Sequence, residues 1–311
     1  MSFSIIFPGQ GSQAIGMMSD LAASHSVVKD LFVEASDILG TDMWALTQEG
    51  PIEALSQTEN TQPALLIAGV AAWRVWQELG GKDPSIMAGH SLGEYTALVA
   101  AGALSFADGV ALVRDRGRYM QSAVPAGEGG MAAIIGLDDD QVRTVCAQVA
   151  ADGAANNEVL QAVNFNAPGQ VVIAGSAKAI ERAAPAMKEA GAKRALPLPV
   201  SIPAHSSLMS PASERLAQRL AGIDVSMPTI PVLHNCNVQV ASNSEQIKAN
   251  LVTQLDSPVR WVESVEFMHR QGVSQFIESG PGRVLGGMVK RIVKGVEVAC
   301  IDKPDAFASL I

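Results

Sequence analysis

Ser91 lies in Gly89-His90-Ser91-Leu92-Gly93, which fits the spacing G-x-S-x-G. The short apolar run Ile86 to Gly89 precedes it and reads as a buried strand. A helix-compatible run from Glu94 through Ala97, Leu98 and Ala100 follows at once. In that setting the pattern puts a serine on a sharp strand-to-helix turn, with glycines where two backbones come close. The turn lifts the hydroxyl clear of the sheet and aims the N-terminus of the next helix at it, an end that favours developing negative charge. The chemistry implied is nucleophilic attack by a serine oxygen.

A serine hydroxyl is a weak nucleophile at neutral pH and needs a positioned base, most often histidine. The chain has five histidines. His90 adjoins Ser91 on the turn, so its side chain is expected to point away and pack. His25 and His269 stand in polar helical surroundings and read as surface residues. His234, at the end of a short apolar run, stays in contention. His205 is the stronger candidate, because the proline-bracketed stretch Leu198-Pro199-Val200-Ser201-Ile202-Pro203 delivers it on a stiff approach just before a helix. An oxyanion also needs donors. The N–H of Leu92, directly after the serine, is one. Gln10, in the turn Pro8-Gly9-Gln10-Gly11-Ser12-Gln13, is the candidate for the second. That turn lacks the spacings of a phosphate loop. Arg116 sits among Arg114 and Arg118, which composition alone reads as a solvated face. It becomes interesting if the substrate carries a carboxylate, for which a planar guanidinium is the expected partner.

These side chains need a frame. Phe3 to Phe7 reads as a strand ending in the glycine turn. Residues 27–39 and 51–57 read as helices, and Asn60-Thr61-Gln62-Pro63 opens a long apolar helix to Leu79, with Pro63 placed near the first turn, where no amide donor is needed. A further helix runs from Ser105 or Phe106 to about Ala123. The glycine-rich break at 125–130 then marks a boundary. Beyond it comes strand (131–135), helix (139–150), strand (160–164), strand (170–174), helix (177–190) and strand (193–197), an order that suits a small ferredoxin-like α+β unit. The last third returns to an α/β pattern: a helix through Leu220, a strand at Val232–Leu233, helices at 244–254 and 259–271, a buried strand Val273–Ile277, a helix from Arg283 to Val293 and a strand Val296–Ile301. The fold class expected is therefore α/β, a large parallel-sheet domain (1–124 and 204–311) interrupted by an inserted subdomain (125–203).

Composition narrows the function. Of 311 residues, 48% are apolar and 17% charged, ample for a large core. A net charge of −9 without a basic run argues against nucleic-acid binding. The opening Met-Ser-Phe-Ser-Ile-Ile-Phe-Pro lacks a basic region and a long apolar stretch, so no signal peptide is expected. No segment stays apolar for ~18 residues, so no membrane span is expected. Cys146, Cys236 and Cys300 are odd in number and far apart, which suits a reduced cytoplasmic protein without disulfides or a metal site.

The chain resembles the malonyl-CoA:acyl carrier protein transacylases of bacterial type II fatty-acid synthesis. The resemblance is carried by Phe7-Pro8-Gly9-Gln10-Gly11-Ser12-Gln13, Gly89 to Tyr95, Arg114-Asp115-Arg116-Gly117, Gly130 to Gly136, Asn164-Phe165-Asn166-Ala167-Pro168-Gly169-Gln170, Pro203-Ala204-His205, Gln254-Leu255 with Pro258-Val259-Arg260-Trp261, and Glu278-Ser279-Gly280-Pro281-Gly282. These stretches run in family order across nearly the whole chain. The resemblance implies a hydrolase-like α/β domain with a ferredoxin-like insert. It implies Ser91 as the acylated nucleophile, His205 as its base, Gln10 and Leu92 as oxyanion donors, Arg116 as partner of the malonyl carboxylate, and Gln254 as an oxygen acceptor that orients His205. One departure is Ala204, where a hydroxylated residue is frequent. The reaction implied moves malonyl from malonyl-CoA to the phosphopantetheine thiol of holo acyl carrier protein through a malonyl-serine, with no tightly bound cofactor, in a monomer.

Acyl carrier proteins of this system are acidic, so docking calls for local positive charge. Arg283, Lys290 and Lys294 fall on one helical stripe with Arg291 nearby, and Lys178, Arg182 and Lys188 form a second cluster. Two other activities share this frame. A serine thioesterase or hydrolase has no need of Arg116. A stand-alone acyltransferase serving a polyketide synthase differs only in its acceptor. A non-catalytic carrier-binding module would have no use for Ser91, His205 and Arg116 together.

Overall fold

A computed structural model describes residues 2–200 and 202–311; Met1, and Ser201 within the proline-bracketed stretch, lie outside the described residues. The strands in chain order are β1 (Ser2–Phe7), β2 (Ile86–Gly89), β3 (Gly129–Ile135), β4 (Leu160–Ala167), β5 (Gln170–Ser176), β6 (Arg194–Pro197), β7 (Val232–Leu233), β8 (Val273–Glu278) and β9 (Glu297–Cys300). Five of them form one sheet in the order β7-β2-β1-β8-β9, with every neighbouring pair parallel. Strands covered on both faces read as continuous apolar runs, which is why Ile5, Ile6 and Phe7 are all fully buried. β1 is central. Phe7 lies in register with Gly89, so the glycine turn after β1 and the serine turn after β2 leave the same edge of the sheet side by side. In open parallel sheets this carboxyl edge is where ligands bind.

The two faces of this sheet carry different cores. One is built around the helix Thr58–Glu78, buried along nearly its whole length with Phe7, Tyr95, Leu112 and Val113. The other gathers Ile6, Trp261, Val265, Phe276 and Val289. The expected start of the long helix at Asn60 to Pro63 needs correction. The helix begins at Thr58, so Pro63 stands inside it and cannot donate to the carbonyl of Glu59. Tertiary packing supports that early turn. Gly117, on the helix Phe106–Ala123, comes so close that a Cβ there would lie 2.8 Å from the carbonyl oxygen of Thr58.

The remaining four strands form a separate sheet, β4-β5-β3-β6, with every neighbouring pair antiparallel. With the helices Asp139–Asp152 and Ala177–Glu189 this is the β-α-β-β-α-β order of a ferredoxin-like unit. The helices cover one face, where Ile134, Val142, Val171, Ile173 and Ala183 pack. The other face carries Met131, Val163, Val172 and Ala174, covered by Leu198, Val200 and Ala204 of the returning chain. β4 is also tied to the last third. Val259 donates to the Val163 carbonyl at 2.8 Å, and its own carbonyl accepts from Phe165 at 3.0 Å. Because Val259 is held extended in this bridge, the helix expected from 259 starts at Trp261. The helix expected from Glu94 starts at Leu92, immediately after the serine. Among the described residues no helix is long and apolar enough to cross a membrane, and no cluster of His, Cys, Asp or Glu could hold a metal ion.

Candidate active site

The serine turn is tighter than composition requires. Ser91 has φ 52° and ψ −107°, a region costing a non-glycine residue about 1–3 kcal/mol. Its flanking glycines are dictated by space. A Cβ at Gly89 would lie 1.9 Å from the carbonyl carbon of Gly93, and one at Gly93 would lie 2.0 Å from the carbonyl oxygen of Phe7. Asn235, just past β7, holds the strained turn at both ends. Its Oδ1 accepts from the Ser91 N–H at 2.7 Å, and its Nδ2 donates to the Gly89 carbonyl at 2.7 Å. Its own N–H donates to the Glu94 carboxylate at 2.8 Å.

Ser91 Oγ lies 2.8 Å from His205 Nε2. The other ring nitrogen, Nδ1, lies 2.8 Å from the main-chain carbonyl of Gln254. A carbonyl only accepts, so Nδ1 carries the hydrogen and Nε2 is free to accept from the serine hydroxyl. The sequence reading has Gln254 orienting His205 through an oxygen. The oxygen in contact is the main-chain one, and the side chain serves other partners. His205 is 3% exposed. Burial first, and the Arg116 charge second, pull its pKa down to about 3, so the imidazole is neutral near pH 7.

Arg116 is 1% exposed on the helix Phe106–Ala123, which is not the solvated face that its neighbours suggest. Its Nη2 donates to Ser91 Oγ at 3.2 Å and to Gln254 Oε1 at 3.1 Å, and its Nη1 donates to Gln62 Oε1 at 2.7 Å. The guanidinium lies 5.1 Å from the centre of the Tyr95 ring. Nε has no partner, and among the described residues no carboxylate pairs with this cation. Burial lowers its pKa, and that of Tyr95 rises for the same reason.

These groups face a cavity of about 140 Å³, lined by Ser91, His205 and Arg116 together with Gln10, Gln62 and Leu92. Leu92 is the first residue of its helix, so its N–H has no partner within the helix. Gln10 reaches the same cavity from the turn after β1. The remaining walls are mostly apolar: Met120, Met131 of the antiparallel unit, and Leu198, Val200 and Ile202 of the chain that returns from it.

The other histidines separate cleanly. His90 packs edge-on against Trp261 and its Nε2 lies 2.8 Å from Asn166 Oδ1, so it packs as expected, yet it also lines the cavity. His234 is buried with its Nδ1 2.7 Å from Glu94 Oε1, and its hydrogen bond goes there, not to Ser91. Of the two histidines in contention, His205 is the one that reaches the serine. Gln62, Glu94, Asn166 and Asn235 escape sequence reasoning as site residues. Glu94 alone offers a signal, a carboxylate in an otherwise apolar helix three residues after the serine; it is fully buried. Arg283, Lys290 and Lys294 are exposed, and the first two line one groove. Arg291 is engaged by the Pro168 carbonyl and Gln170, and Arg182 by Glu158, which leaves the second cluster weaker.

A neutral imidazole on a serine hydroxyl, beside the free N–H of Leu92 at a helix start and a buried cation, can perform acyl transfer to and from Ser91 and favours an acyl group bearing a negative charge. The acyl transferase domain family matches residues 4–301. The malonyl CoA-acyl carrier protein transacylase of Escherichia coli K12 is 54% identical over 309 residues, covering 99% of this chain and 98% of the relative. Among solved structures, an acyl carrier protein S-malonyltransferase from Vibrio cholerae is 54% identical with a TM-score of 0.96, over 100% of both chains. A chain of a complex described as a type II PKS acyl-carrier protein with its malonyl-transacylase is 52% identical with a TM-score of 0.97, over 100% of this chain and 99% of that one.

Proposed function

The chain belongs to the acyl transferase domain family, among the malonyl CoA-acyl carrier protein transacylases, and from that premise we propose how its residues divide the work. It is an acyltransferase that carries malonyl from malonyl-CoA to acyl carrier protein. Ser91 Oγ attacks the thioester carbonyl while His205 Nε2 takes its proton. The N–H groups of Gln10 and Leu92 hold the oxyanion. The tetrahedral intermediate collapses, the C–S bond breaks, and His205 gives its proton to the departing CoA sulfur. The phosphopantetheine thiol of the carrier then loses its proton to His205 and attacks the malonyl ester, and Ser91 leaves with that proton. This is ping-pong kinetics, and it uses no metal or tightly held cofactor.

The single observation that carries the reading is the buried guanidinium of Arg116, without a carboxylate partner, 3.2 Å from the serine oxygen. Its role is to pair with the malonyl carboxylate. A thioesterase acting on neutral acyl groups gains nothing from that arrangement. Residues 1–124 and 204–311 form the catalytic domain in this reading and 125–203 the insert that roofs it. The protein works as a cytoplasmic monomer supplying fatty-acid chain elongation, with Arg283, Lys290 and Lys294 receiving the acidic carrier. A polyketide carrier is the second reading. It is favoured by the 52%-identical relative found with such a carrier, and it changes the acceptor without changing the chemistry.

Intact-mass spectrometry after incubation with malonyl-CoA tests this. A single malonyl adduct is expected in the wild type, absent in Ser91→Ala and discharged by holo acyl carrier protein. An adduct that persists in Ser91→Ala refutes the assignment.

A further inference from the structure

The cation that this reading assigns to the acyl carboxylate is held in an unusual way. Arginine has only donors, so each group that touches it must present an acceptor. Buried arginines ordinarily find carboxylates for this purpose. Here the acceptors are neutral: Gln62 Oε1 at 2.7 Å, Gln254 Oε1 at 3.1 Å and Ser91 Oγ at 3.2 Å. A carboxylate is nearby. Glu94 accepts from Gln254 Nε2 at 2.8 Å, so one amide stands between the Glu94 carboxylate and the Arg116 guanidinium. Glu94 is meanwhile occupied by His234 at 2.7 Å and by the Asn235 N–H at 2.8 Å. Both amides have their orientation fixed by what lies behind them. Gln254 Nε2 donates to Glu94 and to the Ser91 carbonyl, and Gln62 Nε2 points at Met120 Sδ, 3.5 Å away.

We infer that Gln62 is a specificity-determining residue, acting with Gln254 as a neutral cradle that positions Arg116 without neutralising it. Selection for a carboxylated acyl group then depends on the absence of charge at position 62 as well as on the presence of Arg116. A carboxylate at 62 would satisfy the guanidinium from within, and the incoming malonyl carboxylate would meet a site already paired. This inference rests on the reading that Arg116 receives that carboxylate.

The test compares Gln62→Glu with Gln62→Met, measuring pre-steady-state CoA release from malonyl-CoA and from acetyl-CoA. Gln62→Glu is expected to lower the rate constant for malonyl by about 100-fold while that for acetyl changes by less than about threefold. Gln62→Met removes the acceptor without adding charge, so the malonyl-to-acetyl ratio should stay within about fivefold of the wild type. If Gln62→Glu does not accumulate as folded protein, Gln62→Asp carries the same charge on a shorter stem. The inference is overturned if the acidic variant keeps the wild-type ratio, or if Gln62→Met loses the ratio to the same extent, which marks a purely structural role. Arg116→Ala separates the two layers. Loss of the ratio there with retention in the acidic variant defeats the cradle alone. Retention in Arg116→Ala defeats the underlying reading.

Discussion

Replacing Asn235 by alanine should cost both stability and acylation rate, by amounts that can be worked from two hydrogen bonds. The side chain is buried and bridges the Ser91 N–H and the Gly89 carbonyl, each at 2.7 Å. Truncation leaves a donor and an acceptor unsatisfied where water does not reach, at about 1–3 kcal/mol each. The strained Ser91 conformation, φ 52°, can relax and recover part of its own cost of about 1–3 kcal/mol. The net destabilisation expected is about 2–4 kcal/mol, which for a chain of this length lowers Tm by roughly 4–10 °C. Relaxation of the turn also moves Ser91 Oγ from its 2.8 Å contact with His205, so malonyl-dependent CoA release in a single turnover should slow by about 10–100-fold. KM for malonyl-CoA should hardly change, because Arg116 is held by Gln62 and Gln254 and not by Asn235. Differential scanning calorimetry and stopped-flow thiol detection give the two readouts. A Tm within 2 °C of the wild type together with an unchanged rate would show that Asn235 does not hold the turn, and the reasoning would be wrong.

The remaining predictions concern protons and charge. His205, held near 3 by burial and by Arg116, should keep the acylation rate almost flat from pH 7.5 to 5.5, where an ordinary histidine would already cost about tenfold; a tenfold fall at pH 5.5 refutes the neutral-base assignment. The linked stability runs in the same direction: the unfolded chain takes up a proton near pH 6.5 that the folded chain refuses, so the contribution is full above that pH and is lost as pH falls toward about 3, as chemical denaturation at several pH values should show in comparison with His205→Ala. Reversing charge with Lys290→Glu and Lys294→Glu should raise KM for the carrier protein about tenfold at low salt and leave that for malonyl-CoA alone; equal effects on both substrates, or none, remove the patch from the docking site.

How much of this was legible in the sequence depends on how far apart the partners lie. The serine turn is written in five consecutive residues, and its strand and helix adjoin it, so the whole device could be read locally. The ferredoxin-like order also survives as a run of alternating periods between two breaks. What failed was the assignment of partners across long separations. Pro63 suggested a helix start because nothing nearby showed that Gly117 would hold the turn before it. Arg116 stood between two other arginines and reached the site only through the resemblance; composition made it a surface residue, and only the packing of its helix against Thr58–Glu78 turns it inward. Gln254 was identified as a residue, but a sequence has no means of saying that the main chain orients His205 while the side chain holds Arg116. Asn235 and His234 are adjacent, and only the histidine stands out in the sequence, as a second candidate base behind His205. The structure gives the histidine to Glu94 and the asparagine to the Ser91 turn.

The placement of Arg116 has a consequence for water. Its charge, after burial itself, is what holds the basicity of His205 down. On the proposed reading a malonyl group brings a carboxylate that compensates this charge, so His205 becomes a better base once the substrate is bound. That change favours acylation, and it persists in the malonyl-enzyme, where the same base deprotonates the carrier thiol more readily than it does water, a thiol being far the stronger acid. Thiol acidity alone still leaves the ester open to the much more abundant water. On the proposed reading a steric, apolar barrier adds to that preference, and the cavity of about 140 Å³ has Met120, Met131, Leu198, Val200 and Ile202 among its walls. Met131 and Val200 come from the antiparallel unit and the chain that returns from it. On the proposed reading the insert therefore contributes to keeping water from the ester.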